Sequence, residues 1–187
     1  MKPIASSTTV RGVYLEAVLE PLDPQVDHVR GGAGGRLILE YGDYECPYSR
    51  RALREIERVE SRLGDAVRFA FRHFPLTDIH PHALGAAAAA EAAHRQGRFW
   101  EMHALLFHRQ RALEDAYLRR YAQKLGLDLD RFDADRSSAD VLGRIERDVE
   151  SGLRSGEVRG TPTIFIDGVV LAGSYDEASL LRELTAT

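Results

Sequence analysis

The chain has one cysteine, Cys46, among 187 residues, and only two lysines, Lys2 and Lys124. A single thiol excludes a disulfide scaffold. It also excludes an internal dithiol–disulfide cycle within one monomer, because a disulfide needs two sulfurs within bonding distance. So little cysteine fits a reducing compartment. No stretch is long enough and apolar enough to span a bilayer. Met1 to Leu19 show no basic start followed by an apolar run of signal-peptide length, so a secretory signal is not expected and a cytoplasmic location is. A net charge of −4 and a pI near 6.0 leave no electrostatic footprint for nucleic acid or an anionic membrane. The scarcity of lysine makes the basic surface almost entirely arginine, which reads as coding bias before function.

What is present suffices for one substantial core, or a core domain carrying an inserted subdomain: 44% of residues are hydrophobic. Residues 1–35 form an N-terminal extension. Within it Val13, Leu15, Ala17 and Leu19 alternate like an edge strand, and Gly31-Gly32-Ala33-Gly34-Gly35 reads as a flexible lead-in. Residues 36–187 are the expected domain. Leu37-Ile38-Leu39 is a short apolar run of the kind buried on both faces of a sheet. Pro47 suits the first turn of a helix, Leu53, Ile56, Val59 and Leu63 recur at helical spacing, and Gly64 supplies a stop. Val67, Phe69 and Phe71 then alternate as a second strand, closing a βαβ unit with parallel strands.

From about residue 80 to 156 the pattern is helical, with an alanine run from Ala86 to Ala90 and a stop at Gly97. Tyr117, Leu118, Tyr121 and Leu125 form one apolar stripe, and Leu142, Ile145 and Val149 another. The Phe99, Trp100, Met102, Leu106 and Phe107 cluster reads as core of this helical block. Thr163-Ile164-Phe165-Ile166, Asp167-Gly168 and Val169-Val170-Leu171 spell a β-hairpin with a two-residue turn. Ser174 and Glu177 have capping-box spacing for a last helix. The order βαβ, helical block, ββα is that of an α/β, thioredoxin-like fold with an inserted helical subdomain.

Cys46 opens Cys46-Pro47-Tyr48-Ser49, a C-x-x-C spacing with a hydroxyl at the second sulfur position, at the junction of strand and helix. A thiol at a helix N-terminus meets the positive end of the macrodipole, which favours the thiolate, the reactive form. Arg50 and Arg51 in the first turn are either added positive potential near Cys46 or two solvated arginines. Ser49, three residues on, can face the same way and donate a hydrogen bond to the Cys46 sulfur, but it cannot resolve a mixed disulfide. Glu40 ends the apolar strand and is expected to be a buried acid with a raised pKa. His80, His82, His103 and His108 complete no ligand set at zinc spacing, so no metal is expected.

With Glu40-Tyr41-Gly42-Asp43-Tyr44-Glu45 ahead of that motif and Gly160-Thr161-Pro162-Thr163 far downstream, the sequence resembles the DsbA-like branch of the thioredoxin superfamily across roughly residues 28–185. Phe71-Arg72-His73-Phe74-Pro75-Leu76, Ala90-Glu91-Ala92-Ala93 and the segment from Gly97 to His103 look like further parts of it. The resemblance implies a thiol-disulfide oxidoreductase in which Cys46 is the nucleophile, Glu40 a proton-relay carboxylate and Pro162 a cis-proline facing the sulfur. Pro47, Tyr48, Thr161 and Pro162 then form the substrate-binding rim, with backbone at Thr161 open to an extended peptide. The family has a second cysteine where this chain has Ser49. Two readings follow: a monothiol enzyme resolved by an external thiol such as glutathione, or a resolving-Cys-to-Ser form of a dithiol enzyme. Its partners are protein or small-molecule thiols and disulfides. Two other classes stay open: a relative of the kappa-class glutathione transferases and isomerases, which typically carry Ser at the first motif position, and a redox-inactive peptide-binding module.

Overall fold

The structure, a computed structural model, describes residues 19–186. The alternation at Val13, Leu15 and Ala17 lies outside them. Five strands, β1 (His28–Gly31), β2 (Arg36–Gly42), β3 (Val67–His73), β4 (Thr163–Ile166) and β5 (Val169–Val170), form one sheet in the order β1-β3-β2-β4-β5. β2 and β3 run parallel, joined by α1 (Pro47–Leu63), and the other pairings are antiparallel. Among the described residues this is the mixed α/β, thioredoxin-like architecture with an inserted helical block that the element order implied.

The sheet takes in His28–Gly31, which lies upstream of the boundary expected at residue 35. The glycine run is correspondingly a built crossing and no lead-in. Between β1 and β2 the chain passes over the start of β3, with the Gly32 N–H donating to the Val67 carbonyl at 3.1 Å. A Cβ at Gly31, Gly32 or Gly35 would come within 2.5, 2.0 and 2.6 Å of backbone atoms of Val67 or Asp65, so glycine is required by close approach of backbone to backbone.

Side chains alternate across the strands, and the two faces bury different cores. Ile38 with Phe69 and Phe71 packs beneath Ala52, Leu53 and Ile56 of α1, together with the helical block. Leu39, Tyr41 and Phe165 cover the opposite face with Phe74 and Val158. By the same parity Glu40 points to the α1 side, along with Ile38.

The block consists of α2 (Ala83–His94), α3 (Phe99–His108), α4 (Asp115–Lys124), α5 (Leu129–Arg136) and α6 (Ala139–Arg154). α2 is its axis. Ala86 to Ala90, Ala92 and Ala93 are all buried, because small side chains let neighbouring helices approach from every side. Two stripes shift from their expected places: Tyr117 and Leu142 are each 40% exposed, while Val141, Ile145 and Asp148, at i, i+4 and i+7, form the buried face of α6. Both positive-φ residues of the Asp167-Gly168 turn, at 47° and 87°, suit the primed hairpin turn. The last helix, α7 (Glu177–Thr185), is capped by Asp176, which accepts from the Ser179 N–H at 2.8 Å. Ser174, the expected cap, instead donates to Asp176, two residues upstream of the frame that forms.

Candidate active site

β2 ends at Gly42, and four residues later Cys46 is the N-cap of α1, with Pro47 in the first turn. The tight loop between them is held from three sides. Asp43 accepts from the Glu45 N–H at 2.7 Å, the Leu76 N–H at 2.9 Å and the His80 ring at 2.7 Å. Glu45 accepts from the His82 N–H at 2.7 Å. From the helical block, the Gln110 amide donates to the carbonyls of both Tyr44 and Cys46 at 2.8 Å. The His80-Pro81-His82 segment is thus a buttress for the cysteine loop.

Cys46 has extended backbone, φ −73° and ψ 119°, so its side chain leaves the helical register. Its Sγ accepts no hydrogen bond from the helix N–H groups. Instead the thiol donates to the Thr161 carbonyl, 3.2 Å away, across the Thr161–Pro162 peptide bond, which is cis. The helix terminus therefore positions the sulfur's backbone, while the loop before β4 receives the sulfur. Cys46 is 3% exposed, whereas Tyr48 beside it is 62% exposed. Pro47 is exposed and Pro162 half-buried.

Ser49 does not bond to Cys46. It is fully buried at the third helical position, and its Oγ accepts from the Asp43 N–H at 3.3 Å. The reason is the cap geometry: Cys46 turns out to Thr161 and Ser49 turns in to the loop. Glu40, central in the sheet between Phe71 and Ile164, is also fully buried. Burial raises its carboxyl to about 8, against smaller opposing pulls from Arg30 and from the Ser49 hydroxyl, which falls short of hydrogen-bond geometry to either oxygen. Glu40 is therefore a neutral acid at pH 7. Of the two first-turn arginines, Arg50 is half-buried and Arg51 exposed, with its guanidinium 5.9 Å from the Tyr175 ring centre.

The sequence reading found no ligand set for a metal, but the fold brings one grouping together away from the cysteine. His28, His73 and Glu91 are buried, with Nε2 of both rings 2.6 and 2.8 Å from Glu91 Oε1. Burial, opposed by Glu91, pushes His28 down to about 4. Burial would raise Glu91, but the hydrogen bonds from His28 and His73 overcome it and hold the carboxyl well below its usual range. The arrangement is a carboxylate closed by two ring N–H donors. His73 Nδ1 has no partner among the described residues to orient the ring as a ligand.

Asp43, Gln110 and His80 are the site residues that sequence reasoning missed. Asp43 stood inside the quoted motif, and its position one residue past a strand was the available signal. Gln110, 64 residues from Cys46, carried none.

The thioredoxin family profile matches residues 26–185. Among relatives, a protein of Mycolicibacterium vanbaalenii named Na(+)/H(+) antiporter NhaA 1 is 44% identical over 90% of this chain, and one of Salinispora tropica named NhaA 3 is 47% identical over 87%. The chain spans only 28% and 25% of their respective lengths. A thioredoxin-like oxidoreductase from Silicibacter pomeroyi superposes with TM-score 0.76 at 25% identity, covering 92% of this chain and 99% of its own. BdbD of Bacillus subtilis gives 0.78 at 19% identity, covering 90% and 96%. In the described residues no helix is long and apolar enough to cross a membrane. This chain is a member of the thioredoxin family and shares the fold of the thioredoxin-like oxidoreductase from Silicibacter pomeroyi and of BdbD.

Proposed function

We propose that the chain is a monothiol thiol-disulfide oxidoreductase in which Cys46 attacks and an external thiol resolves. One observation carries this reading: a lone sulfur sits at the helix N-cap against Thr161, while the resolver position holds a buried hydroxyl engaged by Asp43. The Cys46 thiol loses its proton to solvent, and the thiolate attacks one sulfur of a substrate disulfide. A Cys46–substrate disulfide forms, the substrate S–S bond breaks, and the leaving thiolate takes up a proton. A low-molecular-weight thiol such as glutathione then attacks the Cys46 sulfur of the mixed disulfide, which releases the substrate's second thiol and leaves Cys46 bound to glutathione. A second glutathione attacks that disulfide, frees Cys46 and departs as oxidised glutathione. Per cycle one substrate disulfide is reduced and two external thiols are oxidised to a disulfide. Glu40 has no resolving thiol to serve here.

Pro47, Tyr48, Thr161 and Pro162 form the rim against which an extended substrate lies, with exposed Tyr48 as its apolar contact. Turnover through a reduced external thiol suits the cytoplasm. The antiporter-named relatives suggest that such a domain also works as part of a longer, membrane-associated chain. Turnover of a fluorogenic disulfide peptide with glutathione tests the reading. Activity that is lost in Cys46→Ala supports it, and equal activity in Cys46→Ala removes it. The 3% exposure of Cys46 favours a second reading, a peptide-binding module without exchange. That reading predicts peptide affinity unchanged in Cys46→Ala and no turnover in either protein.

A further inference from the structure

A groove of about 450 Å³ runs between α1, α3 and the end of α4, on a part of the surface that no step above uses. It begins one helical turn past the cysteine, at Arg50, whose N–H donates to the Cys46 carbonyl at 3.2 Å. Its floor is apolar, made by Leu53, Leu105, Phe107 and Leu125. Its walls carry charge. Arg50 and Arg54 stand on one stripe of α1, and Lys124 faces them from α4. The ion pairs nearby are Arg58 with Glu55, Arg62 with Glu177, and Arg98 with the groove's own Glu101. Arg50, Arg54 and Lys124 enter none among the described residues. Glu57 is the one carboxylate of the groove that enters no ion pair among the described residues, and His108 adds an imidazole to the lining.

We infer that this groove takes an acidic–apolar segment of the substrate polypeptide: an apolar side chain on the floor, with carboxylates meeting Arg50, Arg54 and Lys124. This rests on the exchange reading above and supplies its substrate class. One observation favours a polypeptide over a small anionic thiol: the groove does not include the Cys46 sulfur, so an occupant that is to be attacked must continue beyond it. From Arg50 to Glu57 the helix advances roughly 10 Å, room for about three extended residues of such a segment.

The test uses two cysteine-free decapeptides with serine at the reactive position, differing only in a flank of Glu-Leu-Glu or Lys-Leu-Lys. Fluorescence anisotropy measures their binding at low and high salt. The wild-type chain is expected to bind the acidic peptide at least ~5-fold more tightly than the basic one, with the difference shrinking at high salt. Arg54→Glu and Lys124→Glu, each checked by thermal melting, are expected to remove or invert that preference. Equal binding of the two peptides, a preference untouched by both variants, or glutathione displacing the acidic peptide from the groove would overturn the inference. Failure of the exchange reading shows separately, as absence of a Cys46 adduct with a cysteine-bearing version of the same peptide.

Discussion

The Cys46 sulfur lies 3.2 Å from the Thr161 carbonyl oxygen and donates its hydrogen bond there, across the sheet-side loop and away from the axis of the helix that Cys46 caps. Two segments 115 residues apart in sequence thus meet at one atom pair. The contact uses the Thr161 backbone and leaves its side chain aside: Thr161 Oγ1 is inaccessible and has no partner among the described residues.

Thr161→Val should therefore keep the sulfur contact and remove a buried, unpaired hydroxyl. The expected gain is about 1 kcal/mol, since an unsatisfied buried polar atom costs about 1–3 kcal/mol. Urea unfolding measures it, and a loss of stability would contradict the assignment.

Ser49→Cys restores a second sulfur three residues from the first. On treatment with a small oxidised disulfide, this variant should end as an internal disulfide, while the parent ends as a mixed disulfide. Mass spectrometry of the alkylated products separates the two. A variant that accumulates the mixed disulfide as the parent does would show that position 49 is not a resolver position.

Glu40 makes stability depend on pH with a definite sign. Its folded pKa, about 8, lies above the ordinary value of 4.5, so the folded state holds a proton that the unfolded state has lost across that window. Its contribution is greatest below 4.5 and is lost as pH rises to about 8, by up to about 5 kcal/mol at 1.36 kcal/mol per unit. Glu40→Gln should gain on the wild type steadily between pH 5 and pH 8 in denaturation midpoints. A pH-independent difference would contradict a neutral, buried Glu40.

The His28–Glu91–His73 cluster has the opposite slope. His28, depressed to about 4 from 6.5, contributes stability above 6.5 that is lost as pH falls through 4. Glu91→Ala leaves two buried ring donors without an acceptor and should cost about 2–5 kcal/mol at pH 7. A cost below about 1 kcal/mol in the same unfolding experiment would mean the network is replaceable by water.

The motif at Cys46, the apolar run of β2 and the alternation of β3 were legible because period and turn chemistry are local. What was not legible depends on long-range meeting. Gln110 follows α3 in a polar stretch that reads as surface, yet its amide closes on Tyr44 and Cys46 because the helical block folds back over the loop. His80 and His82 looked like ligands by type but support the loop by position. The glycine run looked flexible because composition does not show which backbone it crosses. Ser49 was placed on the right helix yet given the wrong partner, since helical spacing assumes that Cys46 is inside the helix when it is the cap.

The most direct test of single-sulfur exchange is the intact mass of the folded chain after incubation with oxidised glutathione and removal of free thiol. One glutathione per chain is expected, on Cys46, persisting until a thiol is added and then released. A folded chain that acquires no adduct, or one that clears its adduct without added thiol, would contradict it.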